Sequence, residues 1–330
     1  MQEIKILDDS KKDGKKADWR KRKINSLLLS ESYRRLGEPK NARVFCCGSE
    51  LEFKVFDDST RKLHSANFCK VRLCPMCAWR RSLKVFGQTS KVMDYITEGN
   101  DFRYLFVTLT QKNVSGEMLS GEIDLLFDAF EKMTRRKEFK RISKGWFRCL
   151  EVTHKWGREN YHPHFHMVVA VNKSYFKSSN YLSHEKWMQL WRSCAGLDYD
   201  PWVDIRTVKP DDGSEDGNMK YKKAVAEVAK YTVKSGDYII ETENADEETK
   251  RAWNKMTDEV VAVLDASLAN RRLYAHGGIF REVHKMLNLE KPEDGDLVNT
   301  DNDERLRPDL AYVIERYKWH VGYKDYILEQ

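Results

Sequence analysis

His164 and His166 stand two residues apart in Tyr161-His162-Pro163-His164-Phe165-His166-Met167-Val168-Val169-Ala170-Val171. The run reads as a β-strand. From His164 onward its side chains alternate between faces, so both imidazoles point the same way, about 7 Å apart along the strand. Two neutral imidazoles so placed can clamp one divalent cation. A strand also holds them stiffly, which suits an ion that must keep a reacting group in position. His-x-His pairs also occur in strands as plain surface or core residues, so the remaining chemistry of the chain has to support a metal.

A second set is Glu227, Tyr231 and Lys234, spaced i, i+4 and i+7. The spacing predicts a helix from about Asn218 to Lys234, closed by Ser235-Gly236. Val225, Val228, Ala229 and Thr232 form its packing face. The carboxylate, phenol and ammonium stack on the opposite one. A third set is Cys69-Lys70-Val71-Arg72-Leu73-Cys74-Pro75-Met76-Cys77. A Cys-Pro-x-Cys turn offers two thiolates to one ion, and Cys69 is a third ligand. The fourth must come from upstream: Cys47, just before Gly48, is the first choice, with Cys46 and His64 as alternatives. Four such ligands select Zn²⁺ and make a closed, structural site. Five of the seven cysteines fall between Cys46 and Cys77, and such crowding in a chain with no export signal favours metal over disulfides. Arg72, Arg80, Arg81 and Lys84, in and just after the knuckle, are the expected phosphate contacts.

The elements that must position these groups follow from periodicity. Tyr104 to Thr110 is β-branched and aromatic, a central strand. Leu119, Ile123, Leu126, Phe127, Phe130 and Met133 recur at helical spacing. Trp146 to His154 is a strand with Cys149, Glu151 and Thr153 on one face, and it pairs antiparallel with the His strand through the loop 155–160. Ser183 can cap a helix carrying Trp187, Leu190, Trp191 and Cys194. Trp202 to Val208 is another short strand. Upstream, Asp18 can cap a basic helix, Trp19 to Leu36, ended by Gly37; its Arg20, Lys21, Arg22 and Lys23 face either phosphates or solvent. Two further helices carry Trp253 to Leu264 and Ile279 to Leu287. Residues 289–309 read as an acidic loop, and Tyr312 to Leu328, mixed and aromatic, takes no assignment from its pattern.

The 330 residues carry a net charge of +6, unevenly spread. Residues 1–100 hold 22 Lys and Arg against 13 Asp and Glu, whereas residues 290–330 hold 6 against 11. A basic start and an acidic end point to a local polyanion surface. There is no run of 18 apolar residues and no signal-peptide segment, which implies a soluble, unexported protein with no membrane partner. The expected organisation is a basic N-terminal region with the zinc knuckle (1–99), a catalytic core (100–240), and a mainly helical C-terminal region with an acidic tail (241–330).

Three stretches in order resemble the rolling-circle plasmid replication initiators of the HUH endonuclease superfamily, in the branch carried by Gram-positive plasmids. They are Phe106-Val107-Thr108-Leu109-Thr110, His162-Pro163-His164-Phe165-His166, and Glu227 to Lys234 with its Tyr-x-x-Lys. The similarity extends from the cysteine knuckle to Gly278-Ile279-Phe280. The resemblance implies an α+β fold: a ferredoxin-like antiparallel sheet of about five strands with helices across it, the His strand central and the Tyr helix over its metal face. It implies Mg²⁺ or Mn²⁺ on His164 and His166. Glu151 on the neighbouring strand is the favoured third ligand, with His154 and His162 as rivals. It implies that Tyr231 attacks a phosphodiester at the plasmid origin, leaving a 5′-phosphotyrosyl link and a 3′-OH primer. Lys234 would contact phosphate or stabilise the phenolate, and Glu227 would act as base in a hydrolytic termination step. Origin DNA, single-stranded or in a hairpin at the nick, and a host helicase and polymerase in the bacterial cytoplasm are the implied partners, for a monomer or an oligomer. A single-strand transposase, or an inactive zinc-bearing DNA-binding regulator, would use the same residues differently.

Overall fold

A computed structural model gives the fold and describes residues 4–8, 17–157, 160–211, 221–229, 232–241, 245–291, 293, 295–300 and 311–329. In chain order its elements are α1 (Trp19–Arg35), α2 (Asn41–Cys46), β1 (Glu50–Phe56), β2 (Arg61–Ala66), α3 (Pro75–Gly99) and β3 (Phe102–Thr110). Then come α4 (Gly116–Arg135), α5 (Lys137–Ile142), β4 (Ser143–His154), β5 (Tyr161–Asn172), α6 (His184–Ala195) and β6 (Val203–Val208). The chain continues with α7 (Lys222–Val228), α8 (Glu247–Leu268), β7 (Tyr274–Gly278), α9 (Ile279–Met286), β8 (Tyr312–His320) and β9 (Asp325–Leu328). The fold is α+β, as expected, and no helix among the described residues is long and apolar enough to cross a membrane.

The elements form two compact units, neither continuous in sequence: residues 1–84, 234–265 and 296–330 make one, and 85–233 with 266–295 make the other. The second unit holds a five-stranded antiparallel sheet in the order β6-β3-β5-β4-β7, with the His strand β5 at its centre. Central position explains the sequence of β5: Phe165 and Met167 to Val171 are all fully buried because both faces are covered. Helix α4 covers one face. Its Leu119, Ile123, Leu126, Phe130 and Met133 are buried at helical spacing, and Phe127 and Phe130 meet Phe165 edge to face. Arg148 also points to that face, its guanidinium 4.4–5.2 Å from the Phe127, Phe130 and Phe165 rings. The opposite face carries the imidazoles. There Tyr104 packs against Tyr221, the residue before α7, and against Phe280 of α9, and its hydroxyl meets Thr97 of α3.

The first unit holds a four-stranded antiparallel sheet, β2-β1-β8-β9. Trp19, Phe53, Trp79 and Tyr317 form a chain of edge-to-face rings in its core. The C-terminal stretch that resisted assignment is therefore β8 and β9. Only Tyr317 of β8 and Tyr326 of β9 are buried, so no clean alternation marks them as strands. The C-terminal region is thus part strand, and its strands complete a sheet begun near the N-terminus.

The helix expected over 218–234 is shorter. Among the described residues it runs only from Lys222 to Val228. Two causes act together. Val228, Thr232 and Val233 are β-branched and weak helix formers. The carbonyl of Thr232 is also claimed by the sheet, accepting a 2.8 Å bond from the Val152 N–H of β4.

Candidate active site and metal centre

Cross-strand register builds the first site. On β4 and β5, Glu151 lies opposite His164, and Cys149 opposite His166; on β3, Thr108 lies opposite His166, and Thr110 opposite His164. All six side chains share one face. His164 Nε2 and His166 Nε2 are 3.2 Å apart, and Glu151 Oε2 is 3.0 Å from the second and 3.6 Å from the first. Glu151 and His164 are buried. The other ring nitrogens are held by the fold: His164 Nδ1 lies 3.0 Å from the His162 carbonyl, which can only accept, so Nδ1 carries the proton and Nε2 offers its lone pair. His166 Nδ1 lies 3.0 Å from Thr108 Oγ1, which can accept its proton in the same way. Burial works to raise the Glu151 carboxyl, but hydrogen bonds and charge from His164 and His166 outweigh it and hold the group well below the carboxylate range. Burial, then the neighbouring His164, pull His162 down to about 4.

Two ring lone pairs and a carboxylate oxygen aimed at one point repel one another unless a cation lies between them. Ligands cis to one another on an octahedral ion at about 2.1 Å are about 3 Å apart, close to the separations seen. The donor set fits a first-row dication or Mg²⁺, and three donors leave coordination positions for substrate.

The second site is closed. Cys47, Cys69, Cys74 and Cys77 bring four buried, unpaired sulfurs together. Cys47 Sγ is 3.5 Å from both Cys74 Sγ and Cys77 Sγ, and Cys69 Sγ is 3.7 Å from Cys77 Sγ. Sulfurs on a tetrahedral zinc at about 2.3 Å would be about 3.8 Å apart, so the cluster fits that ion. Pro75 opens α3 and sets Cys77 in its first turn. Gly48, at φ +61°, turns the chain away after Cys47, and a side chain there would press on Met76. The Cys69 N–H donates to Cys47 Sγ and the Lys70 N–H to Cys77 Sγ. Burial opposes ionisation of Cys74, yet hydrogen bonds from Cys47, Cys69, Cys77 and Ser26 hold it well below the usual thiol range. The same shared bonds push Cys47 and Cys77 up. The four sulfurs cannot all ionise together without a cation in place of their protons.

The chain matches the family described as "Replication protein" over residues 60–327. A "Protein rep" of Bacillus amyloliquefaciens is 38% identical, the alignment covering 98% of this chain and 97% of that one. A "Protein rep" of Streptococcus pneumoniae serotype 2 (strain D39) is 41% identical over 98% and 96%, and one of Lentilactobacillus hilgardii 34% identical over 98% and 99%. The chain belongs to the Replication protein family. The resemblance to plasmid replication initiators read from its motifs is thereby shown. No solved structure matches this member of the Replication protein family.

Of the residues singled out in this Replication protein, Glu151, His164 and His166 meet at one point, as do the four chosen cysteines. Cys46 is exposed and outside the cluster, and His154 and His162 are not in the three-donor group. Glu227 is on α7 over the imidazole face, 3.4 Å from Arg206 of β6. Tyr231 lies outside the described residues. Lys234 is not one turn along a helix: its backbone is extended (φ −77°, ψ 142°) and it begins a segment of the first unit.

Three of the expected phosphate contacts are corrected. Arg80 and Arg81 are buried, donating to the carbonyls of Leu297 and Val298 and to that of Lys70. Lys84 is buried and donates to the Asp296 carbonyl. Their charge is spent inside the first unit, that of Arg80 and Lys84 on chain that arrives from far along the sequence; Arg72 is half-buried. Lys23 of the basic α1 is likewise fully buried, its ammonium donating to the Phe45 and Cys47 carbonyls and to Ser49 Oγ at 2.6–2.9 Å. Sequence reasoning missed two supporting residues, Lys23 beside the thiolates and Thr108 behind His166. For Thr108 a signal existed, a hydroxyl at alternate spacing in an otherwise apolar central strand.

Proposed function

We propose that this plasmid replication initiator is a site-specific, metal-dependent nickase and strand transferase that opens the origin through Tyr231. The observation that carries this reading is the convergence of His164, His166 and Glu151 at one point of the central sheet. Tyr231 is bracketed in sequence by Ala229, which closes α7 over the imidazole face, and Thr232, whose carbonyl is tied to β4 one residue beyond Glu151. A divalent ion, Mg²⁺ or Mn²⁺, would supply polarisation of the scissile phosphate there. The residues do the rest. His164 and His166 offer Nε2 from rigid backbone, Thr108 and the His162 carbonyl fix their rings, and Glu151 adds the hard oxygen.

Tyr231 Oη attacks phosphorus and loses its proton; the 3′-oxygen leaves and becomes the primer hydroxyl. A phenol ionises near pH 10, so the reaction depends on charge stabilisation at the site. The 5′-phosphotyrosyl link preserves a phosphodiester bond for later rejoining. Glu227, on the same side of the sheet, is the base for the water that ends replication by hydrolysis. The four-cysteine cluster holds structural Zn²⁺ in the first unit. Origin DNA is the substrate, unpaired at the nick, and a host helicase and polymerase extend the primer.

The test is incubation with a 5′-tailed, single-stranded origin oligonucleotide and Mn²⁺, followed by denaturing electrophoresis. A covalent adduct on the fragment downstream of the nick, through its 5′-phosphate, that disappears in Tyr231→Phe is expected. Wild-type protein that binds the origin but leaves no adduct would instead favour the regulator, and metal-dependent cutting that survives Tyr231→Phe would exclude a tyrosine nucleophile.

A further inference from the structure

Trp202 immediately precedes β6 and is 63% exposed, the one tryptophan among the described residues that stays mostly in water. Its backbone is fixed: Thr110 Oγ1 donates to the Trp202 carbonyl at 2.7 Å. The next residue, Val203, is buried and pairs with Leu109, on the side opposite the imidazoles. Alternation therefore turns Trp202 to the side of Asp204, which pairs with Thr108 and, through it, lines up with His166. Trp202, just before β6, is thus tied to Thr110, which lies in one row with His164 and Glu151 across β3, β5 and β4.

Two strand spacings separate Trp202 from His164, ~10 Å. That is about three nucleotides of stacked strand, fewer when stretched. A cation stands at the same rim. Lys112, two residues beyond Thr110, is exposed; its ammonium sits 3.9 Å from the Tyr199 ring centre and its backbone N–H donates to Tyr199 Oη. A flat, water-facing ring and a braced ammonium next to a phosphodiester site are the two parts of a single-strand platform. A duplex keeps its base faces stacked and presents none to an indole.

We propose that Trp202 and Lys112 form a single-strand DNA subsite, the indole stacking on a base that flanks the scissile phosphate and Lys112 pairing with an adjoining phosphate. This rests on the reading that His164, His166 and Glu151 mark the point of scission. Stacking is tolerant of base identity, so the subsite selects unpaired strand rather than sequence.

The experiment compares wild type, Trp202→Ala and Trp202→Phe for equilibrium binding to the single-stranded origin oligonucleotide and to the origin duplex. Nicking of the single strand is scored in parallel. The single-strand set is repeated with one abasic position moved through the bases around the nick. Expected are about 5- to 100-fold weaker single-strand binding by Trp202→Ala, near-complete rescue by Trp202→Phe, and unchanged duplex binding. One abasic position should erase the difference between wild type and Trp202→Ala. Equal single-strand affinity for Trp202→Ala, an equal loss on both DNA forms, or no abasic position that couples to Trp202 overturns the subsite while wild-type nicking leaves the endonuclease reading standing. A wild type that leaves the strand uncut refutes that reading, and the subsite with it.

Discussion

Thr108→Val removes one hydroxyl behind the imidazole face and nearly nothing else. The two side chains are close in shape, and Thr108 is 3% exposed. Its Oγ1 lies 3.0 Å from His166 Nδ1, on the far side of the ring from the Nε2 that faces Glu151 and His164. An ion on Nε2 requires the ring proton on Nδ1, and Thr108 accepts it. In the variant that N–H is buried without an acceptor whenever an ion is bound. The ion-free ring escapes this by moving its proton to Nε2 and donating to Glu151 Oε2, 3.0 Å away. Only the bound state therefore carries the unsatisfied donor, which costs about 1–3 kcal/mol. At 1.4 kcal/mol per decade the metal should bind about 5- to 100-fold more weakly, in line with the usual effect of removing an outer partner of a ligating histidine. Titration calorimetry with Mn²⁺ and no DNA measures this directly. Thr110→Val is the control: its hydroxyl is two residues along the same strand, on the same face, and serves the Trp202 carbonyl, not an imidazole. Equal Mn²⁺ affinity for Thr108→Val and wild type, or an equal loss in Thr110→Val, refutes the reasoning.

Arg80→Met should lower stability by about 2–4 kcal/mol in denaturant unfolding, because the Leu297 and Val298 carbonyls lose a buried charged donor. The salt dependence of duplex binding should be unchanged; a slope reduced by about one would restore a phosphate contact. Stripping zinc with a strong chelator, or Cys74→Ser, should unfold the first unit, with a loss of about 4 kcal/mol or more relative to protein in excess zinc. Co²⁺ added to the stripped protein should restore both the circular dichroism and a tetrathiolate spectrum, whereas unaltered dichroism after verified metal loss speaks against a structural site. Glu227→Gln should nick normally but hydrolyse the regenerated origin about 10²-fold more slowly, shifting plasmid products towards repeated strand transfer; an unaltered product distribution counts against the base.

The active-site half of the fold was legible because its physics is local. Alternation on β5 placed His164 and His166 together, and the hairpin put Glu151 on the neighbouring strand as the favoured third donor, with His154 and His162 as rivals until the register set Glu151 opposite His164. The cysteines were legible because thiolate spacing is itself the constraint. What failed was long-range. Arg80 and Lys84 read as surface cations since nothing in their neighbourhood reveals acceptors more than 200 residues downstream. β8 pairs with β1 across most of the chain, and its outward side chains blur the period that marks a strand. The helix expected over 218–234 failed for a third reason. Side-chain spacing reported a face correctly as far as Val228, but it carries no information about a carbonyl that β4 captures four residues later.

The two clusters differ in a way that suits the first to a structural cation and the second to a chemical one. Four sulfurs at tetrahedral separations leave no position for a substrate oxygen, and Lys23 sits against the same cluster from inside, its charge opposed by burial and supported by Cys47, Cys74, Cys46 and Cys69. The second cluster has three donors from two adjacent strands, all on one side of the ion they would hold. The other side would stay available to further ligands, and α7 packs over the same face of the sheet. On the proposed reading, donors fixed on a central sheet would let the ion site stay in place while strands are exchanged. An initiator acting as proposed, cutting, holding and rejoining DNA at one place, would need that separation of roles.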